Sequence, residues 1–193
     1  AGPVIYVGGS FTLAGNVVAN NVACWDKSTR TWSALGSRDQ NGVNGSVTSL
    51  AVIDGELYVG GVFSSVSSSG QNALSANNIA RWSAAAGSWS PLGSALQNGT
   101  HSHVSALAVL GSDLYVGGAF TSVSSSSQNT VSANRIARWN TSGSFWSALG
   151  SPTQNGTNQR VFSLAVSGTE LFVGGEFTGV QSNTQSYVPS EFV

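Results

Sequence analysis

The side chains that could do chemistry are few and scattered. The only cysteine is Cys24, so no disulfide can form within the chain. A buried apolar thiol is the plain reading, and a bridge to another chain or to a missing segment is the alternative. His101 and His103 are the only histidines. Two positions apart, they share one side of an extended segment and could touch a metal, but no acid or thiol stands beside them to complete a ligand set. The carboxylates at Asp54, Glu56, Asp113 and Glu170 fall where turns are expected, and local hydrogen bonding or solvation accounts for them. No two carboxylates form an acid–base pair. There is no calcium loop, nucleophile elbow or phosphate loop. Arg81-Trp82 recurs as Arg138-Trp139. A guanidinium beside an indole suits ligand recognition or cation–π stacking. The structural alternative has each arginine closing its strand against loop carbonyls. Arg81, Trp82, Arg138 and Trp139 are therefore the candidate binding residues, with no catalytic residue, metal or cofactor assigned.

The elements that position these residues are set by a repeat. Leu57-Tyr-Val-Gly-Gly61 returns as Leu114-Tyr-Val-Gly-Gly118 and Leu171-Phe-Val-Gly-Gly175, and Ile5-Tyr-Val-Gly-Gly9 opens the chain. Trp25, Trp82 and Trp139 keep one register, as do Trp32, Trp89 and Trp146, and Asn41-Gly42, Asn98-Gly99 and Asn155-Gly156. The step is about 57 residues, near the length of a four-stranded blade. Each unit reads as four short strands. In the best-defined copy they are Val104 to Leu110, Leu114 to Phe120, Arg135 to Trp139 and Phe145 to Leu149. The first is apolar at nearly every position, as a strand buried on both faces would be. Asp54-Gly55, Gly111-Ser112 and Gly168-Thr169 are hairpin-turn residues able to take positive φ. The Ser-rich stretches 64–75 and 121–132 read as exposed loops.

Four antiparallel strands per repeat predict an all-β fold of β-propeller blades. The units are 1–36 (partial), 47–93, 104–150 and 161–193 (partial). One small sheet cannot bury both faces, and stacking blades around an axis does so. On that geometry Trp82 and Trp139 pack between blades. The paired glycines fall where a Cβ would crowd the neighbouring blade or where φ is positive. Two complete and two partial blades make an incomplete ring. An excerpt of a longer protein, association with other copies to complete the ring, or an open array whose exposed faces are covered by partners are the three explanations.

The string Leu-Tyr-Val-Gly-Gly-x-Phe-Thr … Asn-x-Ile-Ala-Arg-Trp … Trp-Ser-Ala-Leu-Gly … Val-x-Ala-Leu-Ala-Val resembles kelch-type propellers. It is similar to a kelch-like group of secreted and cell-surface propellers that includes fungal cortical polarity markers and bacterial surface proteins. The resemblance runs from Ile5 to Val193. It implies an extracellular or cell-surface, mostly non-enzymatic protein. The copper-containing kelch-like oxidases use a Tyr–Cys crosslink with histidines, a ligand set that this chain lacks.

Composition bounds the function from another side. Only 8% of residues are charged and the formal net charge is −1, which argues against a nucleic-acid partner. No apolar run is long enough to span a membrane as a helix. Four N-glycosylation sequons begin at Asn44, Asn98, Asn140 and Asn155. Three of these lie in connections between blades that are expected to be exposed. The expectation is a non-enzymatic structural or adhesive module whose partners are other protein chains or missing blades, and possible glycans. A carbohydrate-binding propeller is the alternative, and an enzyme with its site in missing blades is a further one.

Overall fold

The computed structural model describes residues 4–67, 73–126, 129–182 and 185–189. Every regular element among them is a β-strand. Four sheets follow one another along the chain. Blade I pairs Val4–Gly8 with Val22–Asp26 and Thr31–Ala34. Blade II orders Ser46–Ile53, Glu56–Val62, Ile79–Ser83 and Ser88–Pro91 side by side. Blade III repeats this with Val104–Leu110, Asp113–Gly118, Ile136–Asn140 and Phe145–Ala148. Blade IV pairs Val161–Ser167 with Glu170–Gly175. All pairings are antiparallel, and the turns are as the sequence predicts: Asp54 and Gly55 take φ of 50° and 82°, and Gly111 takes 62°. The third strand of a fourth unit, expected to begin at Val193, lies outside the described residues.

Alternation along each strand splits a blade into two faces. In blade II, Leu57, Val59, Ala80, Trp82 and Trp89 join Val22, Leu35 and Val43 from blade I and its connector in one core cluster. Tyr58, Ile79, Ile53 and Leu92 join Val104, Leu107, Leu114, Val116, Trp139 and Trp146 of blade III in the next. The tryptophan pairs of blades II and III are therefore wedges driven toward the preceding blade, as expected for Trp82 and Trp139. The rings of Trp82 and Trp89 sit 5.2 Å apart and those of Trp139 and Trp146 5.0 Å apart, tilted and edge-to-face arrangements that suit aromatic quadrupoles.

The glycine pair has two distinct jobs. A Cβ on Gly60 would come within 2.6 Å of Val104 Cγ1 in the neighbouring blade. Gly8 faces Val47 at 2.4 Å and Gly117 faces Val161 at 2.5 Å in the same way. The first glycine is thus the seat for a valine of the next blade. The second meets its own blade: a Cβ on Gly61 would lie 2.1 Å from the Ser46 carbonyl oxygen. That close approach accompanies the bulge between Val47 and Ser49.

The first strand of blade III is buried on both faces at Val104, Ala106, Leu107 and Ala108, as expected, whereas Phe162 of blade IV is 53% exposed. One expectation needs correction: the Ser-rich stretches are not plain loops. They form a second tier of small hairpins: Ser65–Val66 with Leu74–Ser75, and Ser122–Ser126 with Asn129–Ser132. Blade I has a short counterpart in Leu13–Ala14 with Val17–Val18. Val66 and Val123 are fully buried and give these polar ribbons an apolar anchor. The connector leaving one blade adds a strand to the hairpin of the next, Gly99–Thr100 pairing with Val123 and Ser124. Gly156–Thr157 does the same on Gly179–Ser182.

Candidate functional site

The recurring polar residues divide into those that hold the blades and those left facing solvent. Asn41, Asn98 and Asn155 belong to the first group. Asn98 Oδ1 accepts the Asn77 N–H at 2.8 Å, and its Nδ2 donates to the carbonyls of Ser75 (3.1 Å) and Ser94 (2.9 Å). Asn41 and Asn155 repeat the arrangement with Asn20 and Asn134. The next residue, Gly99, takes φ of 67°, and a Cβ there would lie 2.1 Å from the Asn77 carbonyl. The Asn-Gly dipeptide is a clamp between a blade's outgoing connector and the entry to its third strand. Exposure of the connector sequons therefore holds for Asn44 but not for Asn98 or Asn155, each 1% exposed. Their amide nitrogens are spent on backbone carbonyls, so a glycan there would break the clamp. Asn44 accepts the backbone N–H groups of Ser64 and Ser65. Asn140 is half-buried, donating to Asp113 and accepting from Gly143 N–H.

The arginines do not close strand three against loop carbonyls. Each faces the acid at the start of its neighbouring strand: Arg138 Nε lies 2.8 Å from Asp113 Oδ2, and Arg81 Nε lies 3.7 Å from Glu56 Oε2. Side chains at i and i+1 of a strand point to opposite faces, so Arg81 and Trp82 are parted by their own sheet, as are Arg138 and Trp139. The carboxylates Glu56 and Asp113 thus have ion-pair partners beyond local turn bonding. An arginine that does bind a loop carbonyl is Arg135, whose Nη1 donates to Phe120 O at 3.3 Å. Sequence reasoning passed over it because it replaces an asparagine, Asn21 or Asn78, in the other blades.

Across the sheets the picture changes. Arg81 of blade II and Trp139 of blade III line one half-open groove of about 460 Å³ at the junction of the two blades. Ser90 and Pro91 on the outer strand of blade II complete one wall, and Ser94, Ser125 and Ser144 the remainder. Its floor is fixed where the Ser94 N–H donates to the Ser125 carbonyl at 2.8 Å, tying the connector to the blade III hairpin. Nearer the inner strands, Thr48 Oγ1 donates to Val104 O at 2.6 Å and Ser49 Oγ accepts the Leu107 N–H at 2.9 Å. Behind the groove, burial pushes the Tyr58 phenol up, and the Arg81 charge and hydrogen bond oppose that shift. The volume falls within the about 300–1,000 Å³ of small-molecule sites. Of the four candidate binding residues, the structure unites Arg81 with Trp139. Trp82 lies in the blade I–II core, and Arg138 faces blade IV.

Cys24 occupies the Arg81 position of blade I. Its thiol is half-buried against the blade I–II core and forms no disulfide among the described residues. Burial raises its pKa, a Ser33 hydrogen bond opposes the shift and the Asp26 charge adds to it, so it stays protonated at neutral pH. His101 stands at the Asn44 position of blade III. One ring nitrogen contacts the Ser122 hydroxyl and the other lies 3.2 Å from Ser124 Oγ, so it holds the hairpin much as Asn44 does. Among the described residues no three of His, Cys, Asp and Glu converge as a metal site would require.

The model of a family described as a domain of unknown function (DUF5122) beta-propeller matches residues 113–145. That stretch runs from the second strand of blade III to the start of its fourth. No curated protein matches the chain. The repeated four-stranded sheets and this match agree on the architecture: the chain is built of β-propeller blades.

Proposed function

We propose that the chain is a non-enzymatic interaction module of an extracellular or cell-surface protein, binding other protein chains or further blades through its sheet faces. The observation that carries this reading is the contrast between equivalent tryptophan pairs. Trp82, Trp89, Trp139 and Trp146 are covered by a preceding blade. Trp25 and Trp32, 5.1 Å apart in blade I, instead line an apolar pocket with Ile5 and Val7, and Ile5 is 48% exposed. An exposed face with the composition of a core is what an interface presents. Among the polar groups that recur, the asparagine clamps and the Arg138–Asp113 pair are already engaged in holding the blades. The secreted setting is supported by the kelch-like string of residues.

Light scattering on the 193-residue chain and on an Ile5→Asp variant tests the reading. Concentration-dependent association that Ile5→Asp abolishes supports it. A chain that is monomeric at every concentration, and that captures no further blade supplied in trans, opposes it. A second reading, carbohydrate binding, is favoured by the groove that unites Arg81, Trp139 and four serines.

A further inference from the structure

We propose that the groove between blades II and III binds the carboxylate of an acidic sugar, with Arg81 as the anchoring residue. The inference rests on the carbohydrate-binding reading and adds the ligand class to it. Three features select the class. First, the groove carries a cation and no carboxylate among its lining residues. Glu56 stands behind Arg81, on its Nε side and at a loose 3.7 Å, against 2.8 Å for the Arg138–Asp113 pair. A guanidinium has five N–H donors in a planar fork. Glu56 Oε2 lies 3.7 Å from its Nε and Tyr58 hydrogen-bonds it, which leaves donors over, and its side chain is 42% exposed. The remaining donors match the two oxygens of a carboxylate.

Second, the hydroxyls of Ser90, Ser125 and Ser144 border the same space and have no hydrogen-bond partner among the described residues. Each can donate and accept, which suits the hydroxyls of a sugar. Third, Pro91 and the small exposed part of the otherwise buried Trp139 give the groove an apolar border beside its serines. A bare inorganic anion would use the first feature alone. The corresponding position at the blade I–II junction holds Cys24 with Val4 where blade II has Arg81 with Glu56. Cation and acid are exchanged together, so that position offers no guanidinium to an anion.

The test is a titration of the 15N-labelled chain with D-glucuronate and, separately, D-glucose, following the Trp139 indole N–H. The variants are Arg81→Gln and, as a control outside the groove, Arg138→Gln, each checked for folding by thermal melting. The expected result is a Trp139 shift with glucuronate, an affinity lowered about 10- to 100-fold by Arg81→Gln and unchanged by Arg138→Gln. Should Arg81→Gln melt early, Arg81→Lys keeps the charge and loses the fork, and must also weaken glucuronate. Equal binding of glucose and glucuronate, indifferent to Arg81, would overturn the acidic-sugar inference and leave carbohydrate binding standing. Binding of neither at any concentration would overturn both.

Discussion

The junction between blades I and II and the junction between blades II and III share one packing device and differ in what surrounds it. In both, a tryptophan pair of the later blade presses on the earlier one, and a valine enters the space above a glycine: Val47 on Gly8, Val104 on Gly60. Around that device the chemistry diverges. The I–II junction adds an indole hydrogen bond, Trp89 Nε1 to Leu35 O at 3.2 Å, and packs Cys24 beside it. At II–III the equivalent Trp146 Nε1 is buried without a partner among the described residues. Thr48 and Ser49 stitch the inner strands there instead, and Arg81 opens onto a groove. The apolar positions fix how blades stack, while polar exchanges at the margin decide which junction offers a surface for a ligand.

The comparison can be broken at several points. The asparagine clamps are common to both junctions, so Asn41→Ala and Asn98→Ala should each cost about 3 kcal/mol, since each leaves buried N–H and C=O groups unpaired. Urea denaturation measures this, and a cost near zero at either site would show that the clamp is dispensable. The tryptophans should separate the junctions. Trp89→Phe loses a hydrogen bond and Trp146→Phe removes an unpaired donor, so the first should destabilise more than the second, by about 1 kcal/mol. Equal costs would mean that the two indoles have equivalent surroundings.

Arg135 gives a gain rather than a loss. It takes φ of 66° where blades I and II place Asn21 and Asn78, and asparagine tolerates that conformation better. Asn78 Nδ2 also donates to Thr100 O at 2.9 Å. Arg135→Asn should therefore raise stability by about 0.5–1 kcal/mol, read as a higher Tm. The smallest effect lies in blade I. Backbone N–H groups of Thr29 and Ser28 hold the Asp26 carboxyl below its ordinary pKa. A lowered folded-state pKa contributes stability above the ordinary carboxylate range that is lost as pH falls through it. The Tm advantage of the native chain over Asp26→Ala should shrink on acidification and stay constant around neutrality.

Much of this architecture is legible in the sequence because stacking repeats a fixed set of contacts. The Leu-Tyr-Val-Gly-Gly strands, the tryptophan spacings and the turn at Asp54-Gly55 name the blades and the faces that meet. The hairpin tier is hidden because its apolar anchors, Val66 and Val123, are single residues among serines. The clamp role of Asn98 is hidden because its partners are backbone groups about one strand pair away, while Asn-Gly-Thr on its own reads as a turn or a sequon. Arg81 and Trp139 stand on different blades, so their meeting follows from how two sheets stack rather than from any local motif. The sequence neighbours Arg81 and Trp82 are the pair that alternation separates.

One blade seats on the next through a valine over a glycine, and a double-mutant cycle between Gly60 and Val104 measures that contact. Gly60→Ala alone should cost about 1–3 kcal/mol by overpacking against Val104. Val104→Ala alone should also destabilise, through the cavity it leaves. If blade III rests on Gly60 as described, the double variant recovers at least about 1 kcal/mol of the summed losses, because each change makes room for the other. Strict additivity of the two losses would contradict the account.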